Sequence, residues 1–175
     1  ILIMWPLKKT KVRLRPLRSG DIDIIMKLHR ELGWNPAFRA DGSTLRGRLT
    51  ALTGEEDALL LVAETGGKVV GYVHGEIVTY LLFAGREMLI SEIFVSAGAR
   101  GKGVGTALVA AIEAEAVKRK CFRISVLNGR ERESYKRGFY PSLGYEERTQ
   151  VANFIKRLDW GEDGLPAVPG RSSGE

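Results

Sequence analysis

The 175-residue sequence contains one cysteine, Cys121, and this excludes an internal disulfide. Cys121 begins an apolar segment and both histidines lie far from it in sequence, so we expect a small buried side chain, with a nucleophile as the open alternative. Long hydrophobic runs are also lacking, because even Ala58 to Ala63 is far too short to span a bilayer. Ile1 to Leu7 has neither a basic leader nor a cleavage site. We therefore expect a cytoplasmic protein with no membrane association.

Acidic residues are fewer than basic ones, and the formal net charge is +6. The basic residues are spread along the chain and form no aromatic-studded stripe, which argues against a nucleic-acid partner. The excess positive charge instead suits solvated faces and one site for a polyanionic cofactor. We predict no metal site, and the sequence leaves a homodimer open.

The composition predicts a single globular domain. Hydrophobic residues make up 44% of the chain and charged residues 27%, which suffices for one core but leaves no room for a second. We assign residues 1–160 to this domain. From 161 to 175 the sequence turns to glycine, proline, serine and charge, so this tail is expected to be disordered.

The most informative stretch is a predicted strand, turn and helix between Met88 and Lys120. Met88 to Val95 is apolar except for Ser91 and Glu92, which is typical of a central strand covered on both faces. From Thr106 onward, apolar residues recur at three- and four-residue spacing, as on one face of a helix. A lone carboxylate in the central strand, Glu92, requires a specific explanation.

The turn between strand and helix is rich in glycine. Three glycines within five positions allow a ligand to approach the main chain closely, and the helix start supplies free N–H groups with a partial positive charge. This arrangement favours an anion, and a phosphate in particular. The residues of the turn are Arg100, Gly101, Lys102, Gly103, Val104, Gly105 and Thr106.

Two familiar nucleotide motifs do not fit this turn. A Walker-type loop needs a hydroxyl directly after its lysine, but Gly103 follows Lys102. A dinucleotide fingerprint needs a third glycine where Thr106 or Leu108 stands and an acidic residue after the next strand, and neither is present. The remaining alternative to a phosphate site is a turn that merely joins strand to helix.

The pattern Arg100-x-x-Gly103-x-Gly105 after an apolar strand resembles the acetyl-CoA pyrophosphate loop of the GNAT superfamily of N-acetyltransferases. A second segment, from Gly138 to Tyr145, is similar to the family's Phe-Tyr pair followed by glycine and an aromatic residue. The resemblance covers about residues 11 to 158 and is strongest over 88 to 145. It implies acetyl-CoA as the cofactor.

The resemblance also implies the fold class, α/β of the α+β kind. We expect a GNAT-like central sheet that is mixed and mostly antiparallel, with six to seven strands flanked by about four helices. The chain order predicted from the patterns is β-α-α-β-β-β-α-β-α-β, and the last one or two strands fall within Tyr145 to Leu158.

Residue roles follow from the resemblance alone. In this family an amine attacks the thioester directly in a ternary complex, and a main-chain N–H of the fourth strand holds the oxyanion. That strand supplies Ile93, Phe94 and Val95 here, while Tyr140 takes the position of the acid that protonates the thiolate. Glu92 takes the position of a base, with burial expected to assist it. Tyr140 as a core aromatic and Glu92 as a structural carboxylate remain open alternatives.

Some positions depart from the family pattern. Lys136 and Glu133 stand where alanine and asparagine are usual, and Asn128 lies earlier, at the end of the fifth strand, as a further candidate cofactor contact. Gly138 falls in a presumed helix and is expected to shorten or bend it.

The acceptor amine is predicted less sharply. Trp34, His74 and Glu76 are candidate substrate-binding residues, since His74 and Glu76 share a strand face and Trp34 follows a helix end. Our first interpretation is a small-molecule amine such as an aminoglycoside, a polyamine or an amino-acid-like compound. The alternatives are a protein N-terminus or lysine as acceptor, and a non-catalytic CoA-binding domain.

Overall fold

The computed structural model describes residues 11–31, 42–52 and 55–156. Two features singled out from the sequence, Trp34 and the tail from 161 to 175, lie outside the described residues. Within the described ranges, no helix is both long and apolar enough to cross a membrane.

The core of the fold is one twisted sheet with the spatial order β1-β2-β3-β4-β5. The pairs β1–β2, β2–β3 and β3–β4 are antiparallel, and β4–β5 is parallel. The sheet is therefore mixed and mostly antiparallel, as predicted. Its strands are β1 (Arg13–Pro16), β2 (Ala58–Thr65), β3 (Lys68–Thr79), β4 (Arg86–Val95) and β5 (Cys121–Val126).

The predicted count of six to seven strands is too high for the described part of the chain, which contains five. The difference arises at the end, where residues 145–156 contain no strand. The apolar side chains Val151, Phe154 and Ile155 of this segment are 54%, 91% and 75% exposed. An apolar stretch becomes a strand only when it pairs with a neighbour and buries a face, and this segment buries none.

In the described ranges four helices flank the sheet, as predicted: α1 (Ile22–Glu31), α2 (Gly42–Leu52), α3 (Val104–Lys118) and α4 (Glu133–Lys136). The predicted effect of Gly138 is confirmed, because α4 has only four residues and Gly138 follows it with φ +64°. Such a left-handed conformation suits glycine and ends the helix.

The sheet is packed on both faces. On one face, Val73 and Ile90 pack with Leu108 and Ile112 of α3 in the larger core cluster. On the other face, α1 packs against the sheet through a smaller cluster: Ile25, Leu28, Val62, Tyr72 and Phe94. Strand β4 contributes to both clusters, which confirms that it is a central strand covered on both sides.

The first turn of α1 is fixed to the sheet by a buried ion pair. The Arg15 guanidinium of β1 donates to both carboxylate oxygens of Asp21, at 2.7 and 2.8 Å, and its Nε donates to Glu64 of β2 at 2.7 Å. The Arg15 hydrogen bonds hold the pKa of the Asp21 carboxyl below its ordinary value. This contact sets where α1 begins over the sheet.

Candidate active site

Strands β4 and β5 separate toward the C-terminal end of β4. Their pairing ends at Ile90 and Val126, so the rest of β4, up to Val95, has no partner on this side. The N–H of Ser96 donates to the Val70 carbonyl of β3 at 2.8 Å. Because main-chain groups alternate in direction along a strand, those of Ile93 and Val95 point away from β3, into the gap. The gap is therefore edged by main-chain groups that the sheet does not use.

A cleft of about 420 Å³ occupies this gap, and we call it the strand-gap cleft. One wall is β4 and the other is α4 with the turn that follows it. Its lining residues are Glu31, Ile93, Phe94, Val95, Arg100, Gly105, Glu131, Arg132, Glu133, Ser134, Arg137, Phe139 and Tyr140.

The glycine-rich turn lies at one end of the strand-gap cleft. Gly101 and Gly103 adopt φ +71° and +80°, a region that other residues rarely enter, and Gly103 is the N-cap of α3. The first helical bond runs from the Ala107 N–H to the Gly103 carbonyl, which leaves the preceding N–H groups without an intrahelical acceptor. At Gly105, a Cβ atom would lie 3.1 Å from the Phe139 ring. The turn thus presents free main-chain donors of the kind that a phosphate site requires.

The side chains of the turn are placed differently from one another. Arg100 lies on the cleft wall, where its Nε donates to the Val95 carbonyl at 3.1 Å and its guanidinium lies over the Phe94 ring. Lys102 Nζ donates to the Gly98 carbonyl at 2.7 Å. Val104 is 1% exposed and packs in the core. Only Arg100 and Gly105 among the seven turn residues line the cleft.

Tyr140 lies on the cleft wall and is 8% exposed. Its ring is in contact with Phe139 and Tyr145, at centroid distances of 5.0 and 5.7 Å. Burial raises the pKa of the Tyr140 phenol to about 12, so the hydroxyl stays protonated at neutral pH and can donate a proton.

Asn128, a candidate cofactor contact from the sequence, does not line the cleft. Its side-chain oxygen accepts a hydrogen bond from Ser134 at 3.0 Å. Of the two positions that depart from the family pattern, Glu133 lines the cleft, whereas Lys136 lies 3.6 Å from Glu131 in an ion pair. The cleft contacts from Glu31 and Arg137 were missed by sequence reasoning, because no motif marks them.

A second cavity, of about 310 Å³, lies on the other side of β4 beneath α1 and α2, and we call it the helix-side cavity. Its floor is formed by polar residues of β3 and β4, namely Tyr72, His74, Glu76, Ser91 and Glu92. Its walls are mostly aliphatic and also include His29 and Arg48. The aliphatic lining residues are Leu17, Ile22, Ile25, Leu45, Leu49, Leu52 and Leu60.

A β-bulge places Glu92 in the helix-side cavity. In the pairing of β3 with β4, Glu92 is opposite His74 and Ile90 is opposite Gly75, so Ser91 is an extra residue. Without it, Ile90 and Glu92 would share a face. The bulge lets Ile90 pack against α3 while Glu92 faces the opposite side. The expected burial of Glu92 is wrong, since the residue is exposed to the open cavity that it lines.

Glu92 is held by a hydrogen-bonded chain that the sequence did not reveal. The Tyr72 hydroxyl lies 2.9 Å from Glu92 Oε2 and 2.5 Å from His29 Nε2. Burial and the Glu92 carboxylate raise the pKa of Tyr72 well above its ordinary value, so the phenol is protonated. Its one proton is donated to the carboxylate, and His29 Nε2–H donates to the phenol oxygen. The alternation of β3, which placed His74 and Glu76 on one face, was the signal that also included Tyr72.

The structure brings His74 and Glu76 together, as the sequence predicted. His74 Nδ1 lies 3.0 Å from Ser91 Oγ and 3.5 Å from a Glu76 oxygen, and both residues line the helix-side cavity. Cys121 lies at the start of β5 and lines neither cavity, and burial raises the pKa of its thiol. Within the described ranges, no group of three or more potential ligands is placed to hold a metal ion.

Comparison with known proteins agrees with this geometry. Residues 27–145 match the model of the acetyltransferase (GNAT) family. The fold is similar to glucosamine-6-phosphate N-acetyltransferase from Arabidopsis thaliana, at 18% identity over 85% of this chain and 99% of that one, with a TM-score of 0.71. It is also similar to AAC(6')-Iy in complex with a CoA-containing bisubstrate analogue, at 19% identity, 85% and 99% coverage and a TM-score of 0.69. A third similar structure is an aminoglycoside acetyltransferase from an uncultured soil metagenomic sample in complex with sisomicin, at 17% identity, 85% and 97% coverage and a TM-score of 0.67.

Proposed function

The chain belongs to the GNAT family of acetyltransferases, which use acetyl-CoA, and on this premise we propose that it acetylates the primary amine of a small molecule. The observation that carries the proposal is the arrangement of four groups around the end of β4. Glu92 faces the helix-side cavity, the main-chain groups of Ile93 and Val95 face the strand-gap cleft, and Tyr140 forms the opposite wall. An amine and a thioester approaching from the two sides would meet at β4.

In this proposal, the strand-gap cleft holds acetyl-CoA. The free N–H groups at the start of α3 bind the pyrophosphate, with the Arg100 guanidinium nearby, and the open edge of β4 binds the arm that carries the thioester. Bound there, acetyl-CoA supplies the acetyl group and a thiolate leaving group. No metal is needed for this transfer.

Each of three groups then has a separate task. Glu92 accepts a proton from the substrate ammonium, directly or through a water, so that the free amine can attack. A main-chain N–H of β4 in the gap donates to the oxyanion that develops on the thioester oxygen. The buried Tyr140 hydroxyl donates its proton to the departing thiolate. Tyr72, held by His29, fixes the Glu92 carboxylate toward the cavity.

Small-molecule acceptors are our first choice for this site, and the interpretations to test are an aminoglycoside, a polyamine or an amino-acid-like amine. Two of the similar structures support a small acceptor. One is an aminoglycoside acetyltransferase in complex with sisomicin, and the other is named as a glucosamine-6-phosphate N-acetyltransferase. The helix-side cavity lies between α1, α2 and the sheet and has a volume of only about 310 Å³, which favours a small acceptor over a protein segment.

The test is release of free thiol from acetyl-CoA in the presence of amines of each class: aminoglycosides, polyamines, amino acids, simple alkylamines and N-terminal peptides. Binding of acetyl-CoA is followed separately by calorimetry. We expect binding together with turnover of at least one small amine. Turnover only with peptides would instead support a protein acceptor, and binding without any turnover would support a non-catalytic CoA-binding domain. No binding of acetyl-CoA would refute the assignment of the strand-gap cleft.

A further inference from the structure

The helix-side cavity differs from a site for a polycation, because most of its wall is aliphatic. The leucines and isoleucines come from α1, α2 and β2, whereas the carboxylates of Glu76 and Glu92 lie only on the floor. Arg48 of α2 is exposed at the rim and adds a positive charge. His29, His74 and Tyr72 are the other titratable groups that face this space. One end of the cavity therefore suits an ammonium group, and the remainder suits an uncharged body.

Two of the aliphatic side chains lack the packing that a core residue has. Leu52 of α2 and Leu60 of β2 are half-buried and line the cavity, yet within the described residues they belong to neither core cluster. Apolar side chains that face an open space of this kind gain stabilisation when an apolar ligand displaces water from them.

The register of the sheet sets the distance between the carboxylate end of the helix-side cavity, at Glu92, and its aliphatic end, at Leu60. Leu60 is opposite His74, and His74 is opposite Glu92, so the three residues form one row across β2, β3 and β4. Two strand spacings separate Leu60 from Glu92, which is about 10 Å. An amine at Glu92 with a body of five to seven carbons would reach Leu60.

We propose that the acceptor is a small monoamine with an apolar alkyl or aryl body, bound with its amine at Glu92 and its body along the row to Leu60. This inference rests on the proposed function and narrows its acceptor class. A distal ammonium, as in a polyamine, would meet the aliphatic end and lose hydration without a partner. The cavity volume of about 310 Å³ also lies at the lower end for ligand sites, which suits one ring or one short chain.

The experiment compares two amines of equal length, hexylamine and 1,6-diaminohexane, with the full chain and saturating acetyl-CoA. We expect kcat/KM for hexylamine to exceed that for the diamine by about tenfold or more, after correction for the two equivalent amines of the diamine. Kanamycin and spermidine serve as larger polycations and should be poorer still. A diamine or polycation that equals or exceeds hexylamine would overturn the inference while leaving acetyl transfer intact.

A variant of the distal residue gives a second test. Leu60→Thr removes the apolar isobutyl group and introduces a β-branched side chain that is suited to a strand. It should lower kcat/KM for hexylamine by about threefold to tenfold while leaving that for propylamine, which is too short to reach Leu60, within about twofold. Leu82→Thr, at an exposed leucine outside both cavities, is the matched control. Equal losses for the two amines would overturn the proposed orientation. Thiol release from no amine at all, with acetyl-CoA still bound, would overturn the proposed function as well.

Discussion

The strand-gap cleft and the helix-side cavity lie on opposite sides of the same strand end, but they are built from different parts of the chain. The cleft presents main-chain groups: the open edge of β4 and the start of α3. The cavity presents side chains from at least five elements, which are distant from one another in sequence. Under the proposed function, this difference means that the cofactor is bound mainly through backbone geometry, while the acceptor is bound through side chains of this chain.

The largest loss of activity is expected on the cleft side, from Tyr140→Phe. The ring and its contacts with Phe139 and Tyr145 remain, but the proton donor is gone. We expect kcat to fall about 100-fold or more, with acetyl-CoA affinity unchanged within about twofold. Thiol-release kinetics and calorimetry measure the two quantities. Tyr145→Phe, which removes a neighbouring hydroxyl outside the cleft lining, should keep nearly full activity.

The pH dependence of kcat tests the same residue. A donor must be protonated, and burial raises the pKa of Tyr140 to about 12. A raised pKa extends the protonated form to higher pH, so loss of the Tyr140 proton should not lower kcat between about pH 8 and pH 10.5. A decline with a midpoint near pH 10 that disappears in Tyr140→Phe would contradict the burial effect.

A smaller effect, on the affinity of the strand-gap cleft for acetyl-CoA, is expected from Gly103→Val. At φ +80° a β-branched residue is strained, and relief of that strain would move the N–H groups at the start of α3. We expect acetyl-CoA affinity to fall by about tenfold or more, as measured by calorimetry. Gly98→Ala is the matched control in the preceding turn, because its φ is not positive and no atom lies within 4 Å of the added Cβ. Equal affinities of the two variants for acetyl-CoA would show that the glycine turn does not contribute to cofactor binding.

For the helix-side cavity, we expect Tyr72→Phe to lower activity toward the amine without changing acetyl-CoA binding. It removes the hydroxyl that donates to Glu92 and accepts from His29, while its ring stays packed with Ile25 and Phe94. We expect kcat/KM for the amine to fall about tenfold with acetyl-CoA affinity preserved, since the Glu92 carboxylate loses its fixed orientation. Tyr80→Phe, outside both cavities, controls for loss of a tyrosine hydroxyl. A loss of acetyl-CoA binding in Tyr72→Phe would show that the two sides are not separable.

The features of the strand-gap cleft and those of the helix-side cavity could be predicted from the sequence to different extents, for physical reasons. The glycine turn was predictable because its conformation depends on residues that permit positive φ, and their spacing is visible in the sequence. His74 and Glu76 were found from strand alternation, and Glu92 was found as a lone carboxylate in an apolar strand. The bulge at Ser91 and the Tyr72 hydrogen bonds were not, because a bulge depends on pairing between strands and a side-chain contact depends on packing between elements. The strand predicted after Tyr145 is absent from residues 145–156 for the same reason, because a strand also depends on pairing with a neighbour.

The smallest effect on activity is expected from Asp21→Asn, because Asp21 directly precedes α1 and lines neither cavity. Asp21 is 8% exposed and accepts hydrogen bonds from Arg15 and from the Arg18 N–H, so its loss should reduce the free energy of unfolding by about 2 kcal/mol at neutral pH. Its pKa is lowered in the folded state. The stabilisation is therefore present above the ordinary carboxyl pKa of about 3.9 and is lost as pH falls through the folded value, so the two proteins should converge in stability in acid.

The control for this variant is Asp23→Asn, two residues further along the chain in the first turn of α1, where the carboxylate is 89% exposed and should contribute little. Chemical denaturation at several pH values measures both variants. Because α1 carries Ile25 and His29 into the helix-side cavity, Asp21→Asn should raise KM for the amine by no more than about twofold and leave acetyl-CoA affinity unchanged. A change confined to acetyl-CoA affinity would mean that Asp21 acts mainly through the far end of α1, where Glu31 lines the strand-gap cleft, and would contradict the assignment of α1 chiefly to amine binding.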